Sequence, residues 1–596
     1  MNADKSAPRT QSCNAADEIL GPSLMRGQGD HVAILFGDAK ITFNELNDEV
    51  NRFANALRPY LAKGDRVLLL LKDSPVFVAA HLGTMRAGAV AVALSTRSTA
   101  KDLAFVMDDA DPKVLLIDEE FVPLYRQAIA SCVHMPTLVA VRGQAEGQLQ
   151  AIEDLLSDAA TDFHSMPAAA HDMAFWLYTS GTTGTPKAAV HCHGDIVVGD
   201  WYMQAFGMGP GERVFSSSKL FFAFALGHVL IGALRTGATI VLYEGWPDAH
   251  AIADVVERYR PTLMLSVPAF YRLLLREDHV SRPGFKTVRC YLSAGESLPE
   301  SIYHRWRERT GVPIVEGIGT TETIFMMIGG TPDDHRPGAT GKPLPYVEAR
   351  LLDLTEQPVT QANSSGVLWV KMGSLCRGYW RQPDKTKAAF RDGRFRTGDV
   401  FIFDDEGWWH HQGRADDLLK ISGQWVSPAE IEECAQSVPG VSEAIVVGAH
   451  DEDGLVRLTM FLVASDGGDD TLQKQVQDKL LTTLSRYKCP RRIVFLESIP
   501  RTATGKARRF RLREWAAKNF LARLLRAMQL DPIKIEGNAP QLVRDMQRKC
   551  VACDCQDRCA ADLDLGVSAA TFQNYCANAE ILVSLRINAA LPAGRC

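Results

Sequence analysis

No run of about 18 uncharged apolar residues occurs, so a transmembrane helix is not expected. Residues 1–20 mix Asp4, Lys5, Arg9, Asp17 and Glu18 and hold no apolar h-region. They do not read as a secretory leader, and a cytoplasmic protein that keeps off the membrane is expected. Basic residues are not in excess: 65 Lys and Arg face 71 Asp and Glu, a net charge of −6. A general nucleic-acid binder would carry a basic face, so that class is set aside and any grip on phosphate must be local. Repeats at solenoid spacing are absent too.

What is present is a chain of 596 residues, more than one hydrophobic core usually organises, so two or more domains are expected. The balance of 46% hydrophobic and 23% charged residues places it among globular proteins. Of its 13 cysteines, seven are scattered from Cys13 to Cys489 and read as reduced thiols; the other six crowd between Cys550 and Cys596.

Apolar runs at 66–71, 89–94 and 113–117 alternate with helical patterns at 75–86, an amphipathic stretch, and 99–109. The rhythm returns at 239–242, 250–259 and 262–267. Strands separated by helices predict a mostly parallel sheet covered on both faces, so the class is α/β. After Gly413 the texture changes. Helices are expected at 428–437 and 471–485, and strands near 444–447, 457–463 and 492–496. The expected organisation is a large N-terminal α/β domain of layered sheets and helices over 15–414 and a smaller α+β domain over 415–520. A linker follows at 521–540, polar at 531–540, and then a Cys-rich tail at 541–596. A further helix is expected at 514–530.

The strongest local signal is Tyr178-Thr-Ser-Gly-Thr-Thr-Gly-Thr-Pro-Lys187. Thr179, Ser180, Thr182, Thr183 and Thr185 bring hydroxyls, Gly181 and Gly184 let the backbone turn its N–H groups toward one point, and Lys187 adds charge. Such a loop can cradle a polyphosphate. It lacks the Gly-x-x-x-x-Gly-Lys-Ser/Thr order of a Walker loop. Taken alone it could also be a flexible surface loop. Its place after the apolar run 173–177, at a strand end where open α/β sheets bind ligands, favours the cradle.

Five more segments follow in order: Ser293-Ala-Gly-Glu-Ser-Leu-Pro299, Ile318-Gly-Thr-Thr-Glu322, Arg396-Thr-Gly-Asp399, Gly413-Arg-Ala-Asp-Asp-Leu-Leu-Lys420 and Pro500-Arg-Thr-Ala-Thr-Gly-Lys506. Together with the hydroxyl loop these resemble the adenylate-forming superfamily of acyl-CoA ligases, luciferases and peptide-synthetase adenylation domains, over about residues 15–515. Any one of them alone would read as a solvated turn or a basic face.

The resemblance implies an AMP-forming acid–CoA ligase that uses ATP, Mg2+ and coenzyme A. A carboxylic acid first attacks the α-phosphate of ATP, and catalysis of that transfer is mostly positioning and charge neutralisation. It implies Glu322 as the Mg2+ carboxylate, Thr321 on the α-phosphate, and Gly319 and Thr320 beside the nucleotide. Gly295 and Glu296 would form the adenine slot, with Asp399 and Arg414 at the ribose. Lys506 would bridge the attacking carboxylate and the phosphate. Asp416 falls where the family keeps the hinge of its mobile small domain, and Gly423 resembles the glycine of the CoA tunnel. Small-molecule acid, ATP and CoA are the expected partners, and a homodimer is one assembly open to the chain.

The acyl pocket should be lined by Lys219-Leu-Phe-Phe-Ala-Phe-Ala-Leu-Gly227 and by residues after Glu322. The first segment resembles the benzoate–CoA ligase branch, and Phe222, Ala223 and Phe224 would make a flat apolar wall for an aromatic ring. Phe325 stands where benzoate ligases commonly have a histidine, which favours a more apolar or differently shaped acid than benzoate. In the tail, Cys550, Cys553, Cys559 and Cys576 resemble a short bacterial cysteine-containing domain of unknown function. Their spacing could hold Zn2+ or an iron–sulfur cluster, with disulfides or free thiols as alternatives. Two rival functions remain open at this level: loading of a carrier protein instead of CoA, and a vestigial ligase body under a metal- or redox-sensing tail.

Overall fold

Alternation along the strands decides how the elements stack. The computed structural model describes residues 14–180, 186–353, 355–415, 417, 419–421, 424–450, 456–465, 468–501, 507–518, 520–553, 555–564 and 572–590. It divides into two units, Met1–His411 and Gln412–Cys596.

Among the described residues the first unit carries a seven-stranded and a nine-stranded sheet. In Arg66–Leu70 of the seven-stranded sheet, Val67 and Leu69 face one core while Leu68 and Leu70 face another. The period of two thus gives each sheet two apolar faces, and helices cover both. Ala100–Ala110 and Val122–Ala128 lie on one side of the seven-stranded sheet. Ala249–Tyr259, Pro268–Arg276 and Glu300–Thr310 lie on the outer side of the nine-stranded sheet. The shared core between the sheets holds Phe43–Leu57, Pro75–Arg86 and Gly199–Ala205.

Pro75–Arg86 departs from the amphipathic helix expected there: every residue from Phe77 to Arg86 is buried. A helix packed between two sheets has no solvent face, so apolar and small residues line its whole circumference. Among the described residues His81 in its middle has no hydrogen-bond partner on either ring nitrogen, and burial lowers its pKa to about 3.

The parallel strands Arg213–Ser216, Leu263–Ser266, Cys290–Ser293 and Ile314–Gly319 are successive neighbours in the nine-stranded sheet. Their carboxyl ends release the segments beginning at Ser217, Val267, Ala294 and Thr320, so the motif loops emerge side by side. The hydroxyl-rich segment joins Met173–Ser180 to the antiparallel strand Pro186–Cys192, with Thr179 opposite Lys187.

The second unit contains Val441–His450 paired antiparallel with Val456–Ala464, which pairs in parallel with Arg492–Leu496. Pro428–Gln436 and Asp470–Thr483 pack on one face. The other face, through Val447, Phe461 and Val494, receives Leu512, Trp515, Phe520 and Ala560. A helix was expected over 514–530; Arg509–Lys518 and Phe520–Ala527 are helical, and the polar stretch 531–540 contains the helix Pro532–Asn538. The tail therefore docks on the small sheet through apolar side chains. It has a second small core around Leu524, Met546, Phe572 and Leu582.

Candidate active site

Glu322 is 7% exposed, and its Oε1 accepts hydrogen bonds from Tyr379 OH at 2.6 Å and Lys187 Nζ at 3.2 Å. The ammonium also stands 3.7 Å from the Tyr379 ring centroid. Burial works to raise the Glu322 pKa, yet the Lys187 charge and the Tyr379 hydroxyl outweigh it and hold the carboxyl below its ordinary value. A buried carboxylate that stays ionised is a hard oxygen donor suited to Mg2+, which takes one or two protein carboxylates together with substrate phosphates. The donor set here fits that ion.

The backbone around Glu322 is over-determined. His191 is fully buried, stacks on Phe175 at 4.9 Å, and joins Asp195 Oδ2 (3.1 Å) to the Thr321 carbonyl (2.8 Å). Because the carbonyl can only accept, Nε2 donates to it. Cys376 N–H donates to the Glu322 carbonyl and Ser374 Oγ to that of Thr323, each at 2.8 Å. Thr320 N–H donates to Thr323 Oγ1 at 3.0 Å, and Gly319 closes the preceding strand. Ile324 follows at φ +55°, a left-handed setting that is a true outlier for a β-branched residue. Strain of this kind costs roughly 1–3 kcal/mol and persists only where its surroundings enforce it.

A second cluster gathers the expected adenine and ribose groups. Gly295 turns at φ +93° into Glu296 and Ser297. Ser297 Oγ meets His411 Nδ1 at 3.1 Å, and His411 Nε2 meets Asp399 Oδ1 at 3.3 Å. Asp399 is 5% exposed, and its N–H is held by Thr397 Oγ1 at 3.0 Å. His411 thus ties two motif segments a hundred residues apart. Sequence reading passed over His191, Tyr379 and His411. Only their hydrogen bonds to motif residues reveal them, and nothing in their local sequence sets them apart.

Arg414 lies in the second unit, at the end of Trp409–Arg414. Gly181, Thr182, Thr183 and Gly184 of the hydroxyl segment, the side chain of Ser180, the hinge candidate Asp416, Gly423 and Lys506 lie outside the described residues.

At the acyl end, Phe222, Ala223 and Phe224 are half-buried, as a pocket wall requires, whereas Phe325 is 1% exposed. Lys219 is buried, donates to the Tyr243 carbonyl and pairs with Asp73 at 3.7 Å. Asp73 accepts from Leu220 N–H at 3.1 Å. Burial, only partly offset by Lys219, pushes the Asp73 pKa up to about 6. The helix beyond Phe224 opens into a π-helical stretch, Leu226–Ala233, a form rare in proteins and frequent at functional sites.

In the tail, Cys550, Cys553, Cys559 and Cys576 line one pocket with Tyr575 and Asn578. Cys555 N–H points at Cys553 Sγ and Asn578 N–H at Cys576 Sγ, both at 3.4 Å. The described cysteines are all unpaired. Among the described residues no group of three or more His, Cys, Asp or Glu is placed to hold a metal ion, so the four thiols as they stand do not form a coordination shell.

The pattern of the AMP-binding enzyme family matches residues 24–380, and that of the AMP-binding enzyme C-terminal domain matches 430–506. The 3-hydroxybenzoate–CoA ligase of Aromatoleum sp. (strain CIB) is 47% identical over 519 residues, covering 86% of this chain and 99% of the relative. The benzoate–CoA ligase of Thauera aromatica is 36% identical, covering 84% and 95%. An anthranilate CoA ligase solved with anthranoyl-AMP superposes with a TM-score of 0.81 at 31% identity, covering 86% of this chain and 98% of that one. The six-segment pattern, the layered fold and these matches agree: the chain belongs to the AMP-binding enzyme family, among its adenylate-forming acid–CoA ligases.

Proposed function

We propose that this ligase activates a monohydroxylated benzoate, 3-hydroxybenzoate foremost, and transfers the acyl group to coenzyme A. In the first half-reaction a carboxylate oxygen bonds to the α-phosphorus of ATP, the bond to the β-phosphate oxygen breaks, and pyrophosphate leaves. In the second, the CoA thiol loses its proton, sulfur bonds to the acyl carbon, and AMP departs. The observation that carries the reading is the buried Lys187–Glu322–Tyr379 cluster beside the hydroxyl-rich hairpin. Positive charge and a protected carboxylate stand together where a polyphosphate would lie.

Each group then has a task. Lys187 and the Thr179–Gly184 segment neutralise the phosphates, and Thr321, held by His191, presents its side chain to the α-phosphate. Glu322 would hold Mg2+, whose charge supports the departing pyrophosphate. Asp399, oriented by His411, receives the ribose hydroxyls, with Gly295 and Glu296 along the adenine. Arg414 would assist at the ribose, and Lys506 and Gly423 come from the small domain, which swings at Asp416 so that Lys506 serves adenylation and withdraws before the thiol arrives. The half-buried Phe222–Phe224 wall suits a flat ring, and the 47% identity to a 3-hydroxybenzoate ligase supports the hydroxylated acid. Reduced thiols fit a cytoplasmic setting.

The deciding measurement is pyrophosphate release from a panel of hydroxy-, amino- and unsubstituted benzoates and aliphatic acids, with and without CoA. Acyl-CoA formed from 3-hydroxybenzoate but not from aliphatic acids is expected. Release without thioester, or transfer only to a purified carrier protein, would transfer the enzyme to the carrier-loading class.

The tail cysteines would serve as ligands to Zn2+ or an iron–sulfur cluster only if loading drew them together, since the shared pocket wall brings them near but not into a shell. Elemental analysis of the purified full chain, beside a Cys550→Ser variant, tests this. Metal that co-purifies with the wild type and is lost from the variant is expected.

A further inference from the structure

The π-helical stretch Leu226–Ala233 carries a histidine whose acceptor atom has nothing to accept from. His228 is 1% exposed and enclosed by three aromatic rings, Phe224, Phe325 and Tyr202, at centroid distances of 5.6, 5.8 and 5.8 Å. Its Nδ1 lies 3.1 Å from the Phe224 carbonyl. A carbonyl cannot donate, so the proton sits on Nδ1 and Nε2 presents a lone pair. Burial lowers the pKa of the ring to about 4, so it is neutral at pH 7 and the lone pair is free. Among the described residues Nε2 has no hydrogen-bond partner.

The local backbone is built to keep the ring there. A Cβ on Gly227 would come within 2.4 Å of the Ile324 carbonyl oxygen, and one on Gly199 within 2.6 Å of Phe325 Cζ. Both glycines allow the π-helix, the Gly199–Ala205 helix and the strained turn at Ile324 to close around one point. An unmatched buried acceptor costs about 1–3 kcal/mol, and such exceptions in native proteins call for an explanation. Here a ligand with a donor would remove that cost.

We propose that His228 Nε2 accepts the hydrogen bond of the ring hydroxyl of the acid, and that this contact selects hydroxybenzoates over benzoate. The inference rests on the aromatic-acid reading above. Phe224 is shared between the two: it belongs to the pocket wall and touches the His228 ring, one helical turn along. The contact is one of recognition and leaves the reacting carboxylate alone. A site that hydrogen-bonds a substrate hydroxyl penalises the analogue lacking it far more than a merely apolar site does.

The unaltered enzyme supplies the first test, through kcat/KM for 3-hydroxybenzoate, 3-aminobenzoate, 3-methoxybenzoate and benzoate. Acids bearing a ring donor should lead, and methoxybenzoate, similar in polarity but without a donor, should fall with benzoate. In His228→Leu the ratio of kcat/KM for 3-hydroxybenzoate over benzoate should drop about 10- to 100-fold, the worth of one buried hydrogen bond. The KM for ATP should hold, and His228→Gln, which still offers an acceptor, should recover part of the ratio. Equal use of the methoxy and hydroxy acids by the wild type would overturn the proposal. So would a His228→Leu enzyme in which all acids fall together. If the wild type turns over benzoates but ignores the ring donor, only this inference fails; if it turns over no benzoate at all, the aromatic-acid reading fails first.

Discussion

The proposed nucleotide end and the proposed acyl end of the first unit are built on different principles. At the nucleotide end, polar groups from distant segments meet one another directly: Lys187 with Glu322, His191 with Thr321, His411 with Asp399. Among the described residues Lys187, Glu322 and Asp399 each have a partner there. At the proposed acyl end the surroundings are mostly apolar packing. Rings, close-approach glycines and a widened helix surround one unsatisfied nitrogen. Shared chemistry demands a fixed polar constellation, whereas choice of substrate needs only a change in the shape and polarity of an apolar wall. A family can therefore keep one end and vary the other.

That contrast can be tested by breaking each end in turn. The largest effect is expected at Lys506. Lys506→Ala should lower adenylate formation, read as pyrophosphate release, on the order of 100-fold or more, as loss of a charge-stabilising donor does elsewhere. Thioester formation from supplied acyl-adenylate should be largely spared, and equal loss of both half-reactions would contradict the swinging-domain role. His411→Ala comes next. Removing the link between Ser297 and Asp399 should raise the KM for ATP about 3- to 10-fold. The preference among benzoates should not move; a shift in that preference would show the two ends to be coupled.

The smallest effect belongs to Asp73, beneath the acyl segment. Its pKa in the folded chain is raised to about 6, so the native state favours the protonated form. That contribution to stability is full below about pH 4, the ordinary aspartate value, and is lost as pH rises through 6. Asp73→Asn cannot ionise. Its melting temperature relative to wild type should therefore climb by a few degrees between pH 4 and pH 7. A gap that stays constant with pH would place the titration elsewhere.

Much of this protein was legible before any coordinates. The strands at 66–70, 90–93, 114–118 and 263–266 and the helices between them lie within a residue or two of their expected places, because burial on both faces leaves continuous apolar runs. The small domain was equally readable from its two helices and three strands. Pro75–Arg86 was misread as amphipathic because its apolar residues carry no label saying that both sheets would bury them. The polar stretch after the helix expected over 514–530 is itself partly helical, since the tail supplies apolar partners that local pattern cannot anticipate.

Local sequence determined the motif segments and their chemistry, because hydroxyls, glycines and charges at close spacing act through their immediate neighbours. Tertiary structure alone decided which residues serve them. His191, Tyr379 and His411 acquire their roles by reaching groups 130, 57 and 12 residues away. His228 is more hidden still. Whether a histidine is a satisfied core residue or an open acceptor depends on which atoms surround its second nitrogen, and those come from Gly199–Ala205, the π-helix and the turn at Ile324, elements that meet only in the folded chain.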